Sequence, residues 1–260
     1  MTVPVIVGVL IPAGADASPD AIPLVLGPSL GTTTMIWDRT RAELGTQHPI
    51  FVWDLPGHGV SPATTDPFTM SELAEAVLRA VDAAGIDRFV YAGISLGGVV
   101  GLQLALDHPR RVAALTLVCS LPRIGTAEGW RQRASDVRLQ GTPSLVGGSA
   151  SRWFTPEFLE QEPDLASRVL HRLLDIDDES YALCVEALAA TDLRGRVDEL
   201  ELPLALIVGE QDPVIPVEEA RSIAESAPHG SLHIISGTSH LAAVERPDRV
   251  AALITESSEP

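Results

Sequence analysis

The sequence predicts an α/β fold: a mostly parallel sheet flanked by helices and interrupted once by a helical insertion. Three observations carry that reading. Short apolar runs recur along the chain, amphipathic stretches of helical length separate them, and the block 121–196 breaks the alternation.

The start, MTVPVIVGVLIPAGA, is apolar but lacks the positive flank of a leader peptide, so it reads as a first strand. Strands follow at IPLVLG (22–27), PIFVWD (49–54), RFVYAGI (88–94) and RVAALTLVC (111–119), and later at LPLALIVG (202–209) and SLHIISG (231–237). Their near-continuous apolar character fits strands covered on both faces. Helical patterns occupy 69–84, 96–107, 217–227 and 241–255. The block 121–196 has no clear strand but holds helical pieces, EPDLASRVLHRLLD and DESYALCVEALAATDL. It is expected to form a cap over the strand ends, where such sheets bind ligands. The expected division is therefore core 1–120, cap 121–196 and core 197–260.

Composition narrows the class. At 45% hydrophobic and 20% charged residues, the 260-residue chain is not a disordered one. A net charge of -17 opposes binding to nucleic acid or to an anionic membrane, so neither partner is expected. All 18 basic residues are arginine. Two cysteines, Cys119 and Cys184, build no disulfide framework, and no apolar run reaches membrane-spanning length, which makes the cytoplasm the default location. The histidines show no metal-ligand spacing, so neither a metal nor a cofactor is expected. Nothing maps a symmetric patch, and a homo-oligomer stays open.

The most informative stretch is FVYAGISLGGVVGLQLAL. Its Gly93-Ile94-Ser95-Leu96-Gly97 is a G-x-S-x-G pattern set between an apolar strand and a helix. A sharp turn there would expose the Ser95 hydroxyl, and Gly93 and Gly97 would avoid collisions around it. A serine hydroxyl needs a base, and the base needs a group to orient its ring. Asp212, just beyond the strand 202–209, and His240, after the final strand, supply an acid and a base in the order this architecture uses. Asp107 is the other candidate acid, but helical rise along 96–107 puts it about 18 Å from the serine. His58, in DLPGHGVSP, reads as part of a tight loop shaping the site.

Acyl transfer also needs two donors for the developing oxyanion. The loop LGPSLGTTTMIWD (26–38) has no lysine and is not a phosphate loop. The backbone N–H of Leu30 is the expected first donor, and that of Leu96, after the serine, the second.

Taken together these segments resemble the α/β-hydrolase superfamily over essentially the whole chain, and within it the 3-oxoadipate enol-lactonases. Resemblance beyond the widespread motifs rests on SLGT followed by Trp37, on SRWFTPEF and on YALCVEALAATDLRG. Most of the superfamily places His-Gly where this chain has Pro28-Ser29, and the enol-lactonases usually differ from Leu55-Pro56 before Gly57. The resemblance implies an eight-stranded type of sheet with the cap after strand 6. It also implies serine-dependent hydrolysis of a small, carboxylate-bearing enol-lactone to 3-oxoadipate in aromatic catabolism.

Between Leu121 and Arg152 five arginines face two acids, a local excess of positive charge suited to a carboxylate. Arg133 is the expected clamp, with Trp130 and Trp153 as apolar walls. The competing readings are a general carboxylesterase or cofactor-free perhydrolase with the same triad, and a hydrolase-fold binding protein without turnover.

Overall fold

The computed structural model describes residues 2–18 and 20–258. Its strands are β1 (Val7–Ile11), β2 (Leu24–Gly27), β3 (Ile50–Asp54), β4 (Phe89–Ile94), β5 (Val112–Val118), β6 (Leu204–Gly209) and β7 (Gly230–Ile235). They form one sheet in the order β1-β3-β2-β4-β5-β6-β7. Only β1 runs antiparallel, against β3; all other pairs are parallel. The sheet thus has seven strands among the described residues, one fewer than the eight-stranded type. The insertion expected after strand 6 of that type follows β5 here.

Burial tracks position in the sheet. The residues of β2, β3, β4 and β6 are all buried, as helices on both faces require. The edge strands β1 and β7 depart from the expectation of two covered faces, and Val9 and Ile234 lie exposed.

The helices are α1 (Asp38–Leu44), α2 (Met70–Ala83), α3 (Leu96–Asp107), α4 (Ala127–Gln140), α5 (Val146–Trp153), α6 (Pro156–Gln161), α7 (Pro163–His171), α8 (Asp178–Ala189), α9 (Val217–Ser226), α10 (Ala242–Glu245) and α11 (Pro247–Ser258). A capping box starts α2: the Thr69 hydroxyl oxygen accepts from the Glu72 N–H while the Glu72 carboxylate accepts from the Thr69 N–H. Helix α3 is buried all round from Leu96 to Ala105 and sits close on the sheet because Gly101 leaves room for the Tyr91 ring. The single helix expected over 241–255 is two. Pro247 has no N–H to donate and forces Arg246 out of helical geometry, to φ -133° and ψ 61°, so α10 ends and α11 begins there.

Helices α4 to α8 make up the insertion between β5 and β6. Its outer face is tied by ion pairs, with Arg138 of α4 reaching both Glu179 and Glu186 of α8. Among the described residues no helix is long and apolar enough to cross a membrane.

Candidate active site

Parallel strands bring their carboxyl ends to one edge, and the neighbours β2, β4, β5, β6 and β7 deliver the candidate residues there. Ser95 sits between β4 and α3 at φ 53° and ψ -120°, a strained conformation for a residue with a side chain. The surroundings hold it. Its N–H donates to Val118 O at 3.0 Å, and its carbonyl accepts from Ser120 Oγ at 2.7 Å and from Gly98 N–H at 2.9 Å. The flanking glycines are sterically required: a Cβ on Gly93 would lie 2.3 Å from Gly97 O, and one on Gly97 would lie 2.5 Å from Pro28 O.

His240 Nδ1 donates to Asp212 Oδ2 at 2.8 Å, and the two side chains are only 4% and 0% exposed. Asp212 Oδ1 accepts the N–H groups of Val214 and Ile215 at 2.8 and 3.2 Å. The carboxylate is therefore fixed on one oxygen and orients the imidazole with the other, leaving Nε2 as the ring's acceptor. Cys119 and Ser120 link this pair to the serine. Ser120 bonds the Ser95 carbonyl, while Cys119 Sγ lies with Asp212 and His240 in a group whose ligand atoms are all within 4.8 Å of one another. Burial pushes the Cys119 thiol well above its usual pKa, and Asp212 and His240 are already bonded to each other, so this donor set suits a hydrogen-bonded pair better than an ion. Asp107, the other candidate acid, is engaged elsewhere, by Ser71, Gln103 and Arg196.

Several backbone donors around Leu30 and Leu96 are already engaged. Gly31 N–H donates to His58 Nε2 at 3.2 Å, Thr32 N–H to Ser29 O at 3.1 Å, Gly97 N–H to Pro28 O at 3.0 Å and Gly98 N–H to Ser95 O at 2.9 Å. Among the described residues, the N–H groups of Leu30 and Leu96 donate to no other group of the protein. The bond from Gly97 to Pro28 holds the two loops together, so both unused donors are carried on a rigid frame.

His58 fastens that frame. Nδ1 is 2.8 Å from Pro56 O, which can only accept, and Nε2 faces the Gly31 N–H, which can only donate, so the ring is neutral with its proton on Nδ1. Complete burial pushes its pKa down to about 4. Through these two bonds His58 joins its own loop, at Pro56, to the Leu30–Gly31 loop.

The insertion roofs the same edge. Around Gly31, at φ 80°, stand Leu173, Trp153 and Tyr181. Trp153 is thus a wall of the Leu30–Gly31 loop. Trp130 is half-buried with Nε1 donating to Ile124 O, and its ring carries the Arg133 guanidinium 5.2 Å from the centroid. The His240 loop is joined to the insertion at three points. Ser239 Oγ donates to Arg152 O at 3.1 Å, and Leu241 N–H to Trp153 O at 3.0 Å. The Glu245 carboxylate accepts from Ser239 N–H at 2.5 Å and from Thr155 N–H and Oγ1 at 2.7 and 2.9 Å. Burial raises the Glu245 pKa, and these donors pull against it. Sequence reasoning missed Glu245, Ser120 and Tyr181. Only the ERP triplet around Glu245 carried a local signal, the helix break at Pro247.

Similarity to known proteins agrees with the geometry. Residues 24–253 match the profile of the alpha/beta hydrolase family. The chain is 33% identical over 224 residues to 3-oxoadipate enol-lactonase 2 of Acinetobacter baylyi, covering 86% of this chain and 84% of that one. It is 31% identical over 226 residues to 3-oxoadipate enol-lactonase 1 of the same organism, covering 87% and 84%. The crystal structure of the enol-lactonase from Burkholderia xenovorans LB400 superposes with a TM-score of 0.90 at 28% identity, over 97% of this chain and 95% of that one. The chain belongs to the alpha/beta hydrolase family, as a carboxylic ester or lactone hydrolase closely related to the 3-oxoadipate enol-lactonase-like esterases.

Proposed function

We propose that the protein hydrolyses 3-oxoadipate enol-lactone to 3-oxoadipate, with Ser95 as nucleophile, His240 as base and Asp212 as its orienting acid. The observation that carries this reading is the pair of unused N–H groups, Leu30 and Leu96, beside a serine held at φ 53°. Backbone donors with no other partner are what a developing oxyanion needs, and nothing else in the fold uses them. The two Acinetobacter relatives supply the substrate, and the residues 121–196 act as the cap that selects it.

In the first half-reaction Ser95 Oγ attacks the lactone carbonyl as its proton passes to His240 Nε2. The carbonyl oxygen becomes an oxyanion and receives the Leu30 and Leu96 N–H groups. Collapse breaks the ring C–O bond, and the imidazolium returns its proton to the departing enol oxygen, which tautomerises to the ketone. A water then gives its proton to His240 and attacks the acyl carbon; collapse regenerates the Ser95 hydroxyl and frees the new carboxylic acid. Arg133, stacked on Trp130, holds the carboxylate that the substrate already carries. Such an enzyme works in the cytoplasm, on an intermediate of aromatic breakdown.

The ultraviolet-monitored decay of enol-lactone, set against p-nitrophenyl acetate, tests the assignment. Strong preference for the lactone is expected; equal or better hydrolysis of the acetate would make the protein a general carboxylesterase. Labelling of Ser95 by a fluorophosphonate, abolished in Ser95→Ala, separates both from a binding protein without turnover.

A further inference from the structure

We propose that Arg152 joins Arg133 in a two-arginine subsite for a small carboxylate, placed on the insertion above the Leu30–Gly31 loop. This rests on the reading of the Ser95 site given above and names how that site selects an anionic substrate.

Pairing comes first. The chain carries a net charge of -17, so acids are abundant, and arginines of the insertion mostly find them. Arg123 bonds Asp192 at 3.2 Å, Arg138 bonds Glu179 and Glu186, and Arg172 lies 3.6 Å from Asp175. Arg131 and Arg168 stand in solvent and need no partner. Arg133 and Arg152 differ from all of these: each is half-buried, and neither has a carboxylate partner among the described residues. They are also close enough to feel each other. Burial first, and then the Arg133 charge, lowers the Arg152 pKa. Two half-buried cations without a carboxylate partner are an unfavourable arrangement that an incoming carboxylate would relieve.

Their place relative to the site is given by what they touch. The Arg152 carbonyl accepts from Ser239 Oγ, next to His240, and the adjoining Trp153 ring stands against Gly31. The Tyr181 ring also stands against Gly31 and stacks on His58 at 6.1 Å, and burial raises its phenol pKa while the charges of Arg133 and, more weakly, Arg152 pull it down. Tyr181 therefore packs its ring on the Leu30–Gly31 loop and lies within the electrostatic reach of both arginines. Both guanidinium groups are supported. Arg133 lies over Trp130, and Arg152 Nη2 donates to Ser149 Oγ at 3.2 Å, folded over Gly148, where a Cβ would come within 3.1 Å of Nη1. Two planar guanidinium forks give a carboxylate up to four directional bonds, which a neutral ester or amide cannot match.

The test uses the variants Arg152→Gln and Arg152→Met, with Arg133→Gln alongside. In thermal melts without ligand each Arg152 variant is expected to gain about 2 °C or more, because like-charge repulsion is removed; a packing role would lower Tm instead. Glutarate at fixed ionic strength is expected to raise the wild-type Tm, glutaramide to leave it alone, and each single substitution to abolish the glutarate response. In kinetics, the ratio of kcat/KM for enol-lactone to that for p-nitrophenyl acetate is expected to fall tenfold or more in Arg152→Gln, mainly through KM. A lower Tm together with an intact glutarate response in both Arg152 variants would overturn the proposal. The glutarate melts do not involve the lactone. If they depend on Arg152 while the lactone is not hydrolysed, the substrate assignment fails and the subsite stands.

Discussion

Replacing Asp212 by Asn tests the orienting acid, and the structure dictates which way the amide must face. Asp212 Oδ1 accepts two backbone N–H groups, from Val214 at 2.8 Å and Ile215 at 3.2 Å, while Oδ2 accepts one, from His240 Nδ1. An asparagine has one oxygen and one NH2 group. Turning the NH2 toward the backbone would set donors against two donors and forfeit two bonds worth about 1 kcal/mol each, whereas turning it toward His240 only reverses the direction of one. The oxygen therefore stays on the backbone and the NH2 faces the ring. Imidazole must then accept at Nδ1 and carry its proton on Nε2, the nitrogen that should take the Ser95 proton. The fold is kept and the base is lost. A fall in kcat of about 10⁴, equivalent to about 5.5 kcal/mol of barrier, is expected for both enol-lactone and p-nitrophenyl acetate. Steady-state rates read the effect, with a melting curve to show that the variant folds. A folded Asp212→Asn enzyme within tenfold of the wild-type kcat would refute the tautomer argument and with it the role of Asp212.

Three further outcomes follow from the same geometry. Gly97→Ala puts a methyl 2.5 Å from Pro28 O, so stability should drop by about 1–3 kcal/mol and kcat should fall as the Leu96 N–H is displaced; urea melts and rates at saturating lactone check both. His58 is neutral and buried with a pKa near 4 against an ordinary value of 6.5, so the unfolded chain binds its proton first. The stability it contributes is complete above pH 6.5 and lost as pH falls toward 4, about 3 kcal/mol in all. Asp54 and Glu245, whose carboxyls burial raises, act in the opposite sense, so the difference between wild type and His58→Gln melts across pH 4 to 7 isolates the histidine; parallel curves would contradict its neutral state. Glu245→Gln keeps one acceptor for three donors and should lower kcat about tenfold with little change in KM for p-nitrophenyl acetate; unchanged kcat would mean that the His240 loop does not need the brace.

Legibility in the sequence followed the range of the interactions. The turn at Ser95 was readable because its requirements are local: a strand, two glycines within two residues of the serine, and a helix. Asp212 and His240 were readable because each sits one loop beyond an apolar run. Leu30 was singled out through the chemistry expected of its loop, and among the described residues the structure leaves its N–H without another acceptor. The exposed faces of β1 and β7 were not legible, because an apolar run does not say that it lies at the edge of a sheet. The break at Pro247 was visible in the letters, yet the amphipathic pattern continues through it and concealed two helices as one. Arg133 and Arg152 looked alike in a count of charges. Only the three-dimensional pairing of Arg123 and Arg138 with acids showed which cations were left over.

The seam between insertion and core was the least legible part, and it is the reason to treat the insertion and the candidate catalytic edge as one site. Glu245 reaches Thr155 across 90 positions, Ser239 reaches Arg152 across 87, and Leu241 donates to Trp153 O. These bonds land on the two residues flanking His240 and on Glu245, five positions further along the chain. From the insertion they draw on Arg152, Trp153 and Thr155, the same short stretch that supplies one arginine of the proposed subsite and one wall of the Gly31 loop. On the proposed reading, a substrate pulling on Arg152 would act on a segment bonded directly to the loop that carries His240. Cap substitutions that alter specificity should accordingly alter kcat as well as KM. An insertion that served only as a lid would change KM alone.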